Sequence, residues 1–124
     1  MTIACMPANV APASLVATSN VSHIVVNAEA CTAATAVTIG KAITGRKWRC
    51  TRANVVLSPG MQTGIELHTG SVRQVSGGAA TSSVSGNTDA FDWEGDFEGA
   101  MGEALTITIG ATGAFSGSFS ARLI

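Results

Sequence analysis

Apolar and polar residues alternate with a period of two along much of the chain, most strictly across residues 104–124. Leu105, Ile107 and Ile109 share one parity, and Thr106 and Thr108 the other. After Gly110, Ala111, Thr112 and Gly113 the pattern resumes. Phe115, Gly117, Phe119, Ala121 and Leu123 then oppose Ser116, Ser118, Ser120 and Arg122. A two-residue period places each set on one face of a pleated strand, so this stretch predicts a hairpin with an apolar face and a hydroxyl-rich face. An isolated hairpin is marginal in water. Its apolar face therefore calls for a second sheet, and the fold class that follows is an all-β antiparallel sandwich.

The preceding chain supplies further strands. Residues 21–28 predict one, with Ile24 and Val26 inward, and residues 36–39 a second, bounded by Gly40 and Gly45. In 46–57, Trp48 and Cys50 share one parity and Val55 and Leu57 the other, which predicts a bulge near 52–54. Ser58, Pro59 and Gly60 end that strand with turn chemistry. Residues 64–68 alternate, with Ile65 and Leu67 opposite Glu66 and His68. Residues 71–76 predict a weaker strand, and Gly77 through Asn87 reads as the most loop-like interior segment. In 91–98, Phe91, Trp93 and Phe97 oppose Asp92, Glu94, Asp96 and Glu98.

All six aromatic residues lie on the apolar parity of three strand regions, so those regions are expected to meet in the core. About eight short strands separated by turns suit a jelly-roll-like sandwich over residues 21–124. Residues 1–20 carry no charge, contain Pro7 and Pro12, and include Ile3, Val10, Leu15 and Val16. This composition predicts an extended N-terminal arm that orders against a neighbouring subunit.

Composition narrows the function. Of 124 residues only 12% are charged, the formal net charge is −1, and Ala, Val, Thr, Ser and Gly dominate. Such a balance gives no electrostatic drive towards nucleic acid or an anionic membrane. It suits a surface covered by a partner. No apolar run approaches the roughly 20 residues of a membrane span, and no secretory leader is expected at the N-terminus. Cys5, Cys31 and Cys50 lack metal-ligand spacing and are expected as reduced, apolar fillers, with one disulfide as the alternative.

No catalytic set is visible. His23 and His68 stand apart, and nucleophile-elbow, phosphate-loop and dinucleotide motifs are absent. No cofactor is expected. Six of the eight carboxylates fall between Asp89 and Glu103, which raises calcium. On a strand, however, same-face carboxylates stand about 6.5–7 Å apart, too far for one ion to gather them. Five of the seven basic residues (Lys41, Arg46, Lys47, Arg49, Arg52) fall between 41 and 52. One basic and one acidic strand can relieve their like-charge crowding by pairing within a subunit or by meeting between subunits.

The stretch Ile43-Thr44-Gly45-Arg46-Lys47-Trp48-Arg49-Cys50-Thr51, the glycine-punctuated strands after it and the ending 104–124 resemble small β-sandwich head decoration, or cement, proteins of tailed bacteriophages. The likeness covers roughly residues 40–124 and lies in pattern and composition; the acidic segment 91–97 is not part of it. The resemblance implies a non-enzymatic virion protein, made in the host cytoplasm and placed on the capsid exterior. There it would bridge major capsid protein subunits. Homo-oligomerisation, as a trimer, is also expected. Expected interface residues are Ile3, Val10 and Leu15 of the arm, Lys47, Arg49 and Arg52 of the basic strand, and Asp92, Glu94 and Asp96 of the acidic one. The alternative is a carbohydrate- or receptor-binding module of a head fibre or tail tip, with Trp48 or Trp93 as an exposed stacking platform.

Overall fold

The computed structural model describes residues 23–81 and 88–124, so Ile3, Val10, Leu15, Cys5 and the predicted arm lie outside the described residues. Among the described residues nine strands follow one another: β1 (Ile24–Cys31), β2 (Thr35–Gly40), β3 (Trp48–Leu57), β4 (Gln62–Thr69), β5 (Val72–Thr81), β6 (Thr88–Asp89), β7 (Phe91–Glu98), β8 (Leu105–Ile109) and β9 (Gly113–Leu123). Among the described residues there is no helix, hence none long and apolar enough to cross a membrane.

The strands form two antiparallel sheets, a four-stranded one ordered β1-β9-β3-β7 and a five-stranded one ordered β2-β8-β4-β5-β6. Pairings nest along the chain: β1 with β9, β2 with β8, β3 with β7, and β4 with β5 at the centre. A long hairpin wound into two layers in this order is a jelly roll, so the expected sandwich is the observed one.

The terminal hairpin is corrected. β8 bonds to β2 and β4, whereas β9 bonds to β1 and β3, so residues 110–113 carry the chain from one sheet to the other. Their apolar faces therefore look at each other across the core instead of lying side by side. Alternation fixes which side chains share a face but not which strand supplies the backbone partner, and a hairpin and a crossing arch alternate identically.

Two other readings shift. The register break of β3 falls between Cys50 and Arg52, at Thr51, one residue before the predicted range. Gly77 through Thr81 belong to β5, with Gly77 to Ala80 paired to β4 and Thr81 to β6, and are not loop. Gly77 is there for room: a Cβ on it would stand 2.6 Å from the Phe91 ring, which crosses from the opposite sheet. Gly40 receives Trp48 in the same way, with a Cβ 2.6 Å from the indole. Trp48 is fully buried, and its Nε1–H donates to the Lys41 carbonyl at 3.0 Å, so the one polar atom of the ring is satisfied.

The core between the sheets holds Trp48, Phe115, Phe119, Ile65, Leu67 and Ile107 among its fully buried members. Five of the six aromatics are buried. Trp93, on edge strand β7, is only half-buried and packs against Phe97 with ring centroids 5.4 Å apart. Burying side chains of this size is worth about 1.5–3 kcal/mol each, which is how two weakly charged sheets hold together. Cys31 and Cys50 are buried free thiols inside this core, in keeping with the apolar-filler reading.

Candidate functional site

With β9 between β1 and β3, the solvent face of the four-stranded sheet is built in rows. One row runs Val25, Ser118, Asn54, Asp92; the next Ser120, Arg52, Glu94; the third Arg122, Arg49, Glu98. The centre of the face is basic and hydroxylic, and its β7 edge is acidic. The alternation of β9 put Ser116, Ser118, Ser120 and Arg122 on one face. Only the sheet order brings Arg122 opposite Arg49.

The basic and acidic strands meet within the chain. Arg49 donates from Nε to Asp96 Oδ1 at 2.9 Å and from Nη2 to Oδ2 at 2.6 Å, a bidentate fork. Lys47 Nζ lies 2.9 Å from Glu98 Oε1. The Arg49 hydrogen bond holds the Asp96 carboxyl below its ordinary range, and Asp96 in turn raises the guanidinium. Arg52 stands opposite Glu94, and Asp92 opposite Asn54, without a direct ion pair for either among the described residues. Arg122 is exposed and likewise lacks a carboxylate partner there.

Two recesses mark this face. The first, of about 270 Å3, is bounded by Arg49, Thr51, Ser120 and Arg122. The second, of about 320 Å3, is bounded by His23, Arg52, Asn54, Ser118 and Ser120. Ser120 belongs to both, so the two are contiguous over β9 and β3. Thr51, the residue at the β3 register break, lines the first. His23 Nε2 lies 3.4 Å from Ser118 Oγ, at the rim of the second. Of these residues sequence reasoning singled out Arg49 and Arg52. Arg122, Thr51, Ser118, Ser120, Asn54 and His23 are added by the fold.

At the far end of the same face a smaller apolar notch of about 180 Å3 opens between Ala28, Val56 and Ala114. It arises where β1 breaks register between Val26 and Glu29 and Ala28 takes a positive φ of 50°. The Ala28 N–H released from the ladder donates to Ser116 Oγ at 2.9 Å.

The opposite sheet faces solvent with Thr106, Thr108, Glu66 and His68. His68 Nε2 and Glu66 Oε1 are 2.8 Å apart, and Arg73 Nη1 lies 3.6 Å from Glu66 Oε2. The hydrogen bond with His68 holds the Glu66 carboxyl below its usual value. The two histidines thus occupy opposite outer faces of the sandwich. Among the described residues no three His, Cys, Asp or Glu side chains converge to hold a metal ion. No protein-family model, curated protein or solved structure matches the chain.

Proposed function

We propose that the chain is a structural virion protein, a capsid decoration protein that binds the exterior of a phage head and stabilises contacts between major capsid subunits. The observation that carries this reading is the outer face of the four-stranded sheet. It exposes two guanidiniums, Arg52 and Arg122, and two carboxylates, Asp92 and Glu94, that have no ion-pair partner in their own chain among the described residues. Hydroxyl-rich and charged in separate columns, such a face suits docking on another protein, where complementary charge sets partner and register. The jelly-roll architecture, the weak overall charge and the absence of a catalytic motif in the sequence support a non-enzymatic, assembly-bound role. The same reading has several copies per particle that self-associate, as a trimer, with residues 1–20 as the arm that reaches a neighbour.

Cryo-electron microscopy of virions from the phage that encodes the chain tests this. Density of sandwich size is expected outside the capsid lattice at subunit junctions, and lost from particles made without the protein. Particles identical with and without it would sink the reading.

A carbohydrate-binding module is the second reading, and it needs an aromatic platform. Trp48 is wholly enclosed, which leaves only the half-exposed Trp93 at the β7 edge to serve as one.

A further inference from the structure

We propose that the two contiguous recesses over β9 and β3 form a groove for an extended acidic segment of a protein partner, with alternate carboxylates received by Arg122 and Arg52. In the β3–β9 register Arg49 lies directly opposite Arg122, and like charges so placed repel. Asp96 neutralises Arg49 alone. Arg122 is left with its five donors in a recess that Thr51 and Ser120 also line, a set of residue types that matches an entering carboxylate. The second recess repeats the theme, with Arg52 beside Ser118, Ser120 and Asn54.

The spacing of the two is that of a strand. Arg52 is level with Ser120 and Arg49 with Arg122, so the recesses lie one two-residue step apart along β9, about 6.5–7 Å. An extended peptide laid along β9 presents the side chains of residues i and i+2 to the sheet at that same interval, so an acidic-x-acidic segment fits both. The floor beneath it is small: Ser118 and Ser120 let a backbone approach closely. A nucleic-acid strand carries a charge on every phosphate and so meets Asp92 and Glu94 at the β7 edge along its whole length, whereas an acidic-x-acidic segment brings its charges only to the two arginines. The choice of a protein as partner rests on the proposed virion role; the carboxylate chemistry of the groove does not.

The test uses the full chain and a defined probe, the acetylated and amidated peptide Glu-Ser-Glu-Ser-Glu, with Gln-Ser-Gln-Ser-Gln as control. Titration followed by NMR should shift the amides of Thr51, Ser120 and Arg122 and the guanidinium signals of Arg52 and Arg122, with the glutamine peptide inert. Arg122→Gln and Arg52→Gln, both exposed and therefore compatible with folding, should each weaken binding by about tenfold, as loss of a charge-assisted bond does. No response to the acidic peptide, or an equal response to the glutamine one, overturns the proposal. So does tighter binding of a short oligonucleotide. Self-association of the free chain that is lost in Asp92→Asn/Glu94→Gln would assign the face to a second copy and overturn it as well. Bare heads incubated with wild type separate the two readings: heads decorated but peptide ignored removes the groove alone, while peptide bound and heads left bare removes the virion role alone.

Discussion

Arg49 and Asp96 are joined by two parallel hydrogen bonds across β3 and β7, at 2.9 and 2.6 Å, and this fork determines which arginine of the outer face is occupied. Arg122, level with Arg49 on the other side of β3, has no such carboxylate among the described residues.

The fork makes stability pH-dependent in a definite direction. Asp96 is held below its ordinary range by Arg49, and Glu66 by His68, so the unfolded chain takes up protons at higher pH than the folded one does. Their contribution is complete above the ordinary carboxylate range and disappears as pH falls through the depressed folded values. The melting temperature of wild type minus that of Asp96→Asn should therefore be positive near neutrality, shrink as the solution is acidified through that window, and diminish with added salt. A difference that grows on acidification would contradict the pair.

Trp48 of one sheet rests on Gly40 of the other, and Gly40→Ala forces ring or backbone to move. Overpacking of this kind costs about 1–3 kcal/mol, read as a lower denaturation midpoint at unchanged slope. Gly77→Ala, beneath Phe91, should behave alike. A loss under about 0.5 kcal/mol would show that the rings have room to retreat.

Burial pushes the Cys50 thiol up to about 11, and the Cys31 side chain is also buried. In a Cys5→Ala background neither should react with a disulfide reagent at neutral pH until the chain is denatured, when both should. Cys50→Ser, which puts a hydroxyl in the core near the Arg52 carbonyl that the thiol meets at 3.5 Å, should cost about 1–3 kcal/mol. Prompt labelling of the native chain would disprove the enclosed core.

Ala34 sits in the β1–β2 turn at φ 57°, a region where a Cβ is unfavourable, and its N–H donates to the Ile109 carbonyl at 2.9 Å. Ala34→Gly removes the steric cost of about 1–2 kcal/mol and adds back about 0.5–1 kcal/mol of unfolded-state entropy. A raised melting temperature is expected; a lowered one would place Ala34 outside the left-handed region.

Emission from Trp93→Phe, which reports Trp48 alone, should be blue-shifted and protected from quenchers, whereas Trp48→Phe, if folded, should report the half-exposed Trp93 as redder and more accessible. Equal accessibility of the two would contradict the packing of Trp48 on Gly40.

Legibility followed the range of each interaction. Ile24, Val26, Ile65, Leu67, Phe115 and Phe119 could be assigned inward from parity alone, because a pleat turns successive side chains to opposite sides whatever the strand's neighbours. The complementarity of Arg49 and Asp96 was visible as two charged runs, but not their pairing within one chain. Gly77 looked like a loop because glycine normally weakens a strand; its reason lies 14 positions away, in Phe91.

By itself, then, the sequence determined the strand character, the two-sidedness of each strand and the presence of an aromatic interior, since all three depend on local backbone geometry and burial. Tertiary structure decided that β8 and β9 part into different sheets and that β9 enters between β1 and β3. It thereby decided that Arg122 comes to rest beside Ser120 and Thr51. Backbone hydrogen bonds are chemically alike in every strand, so the choice among partners is made only by how whole faces pack.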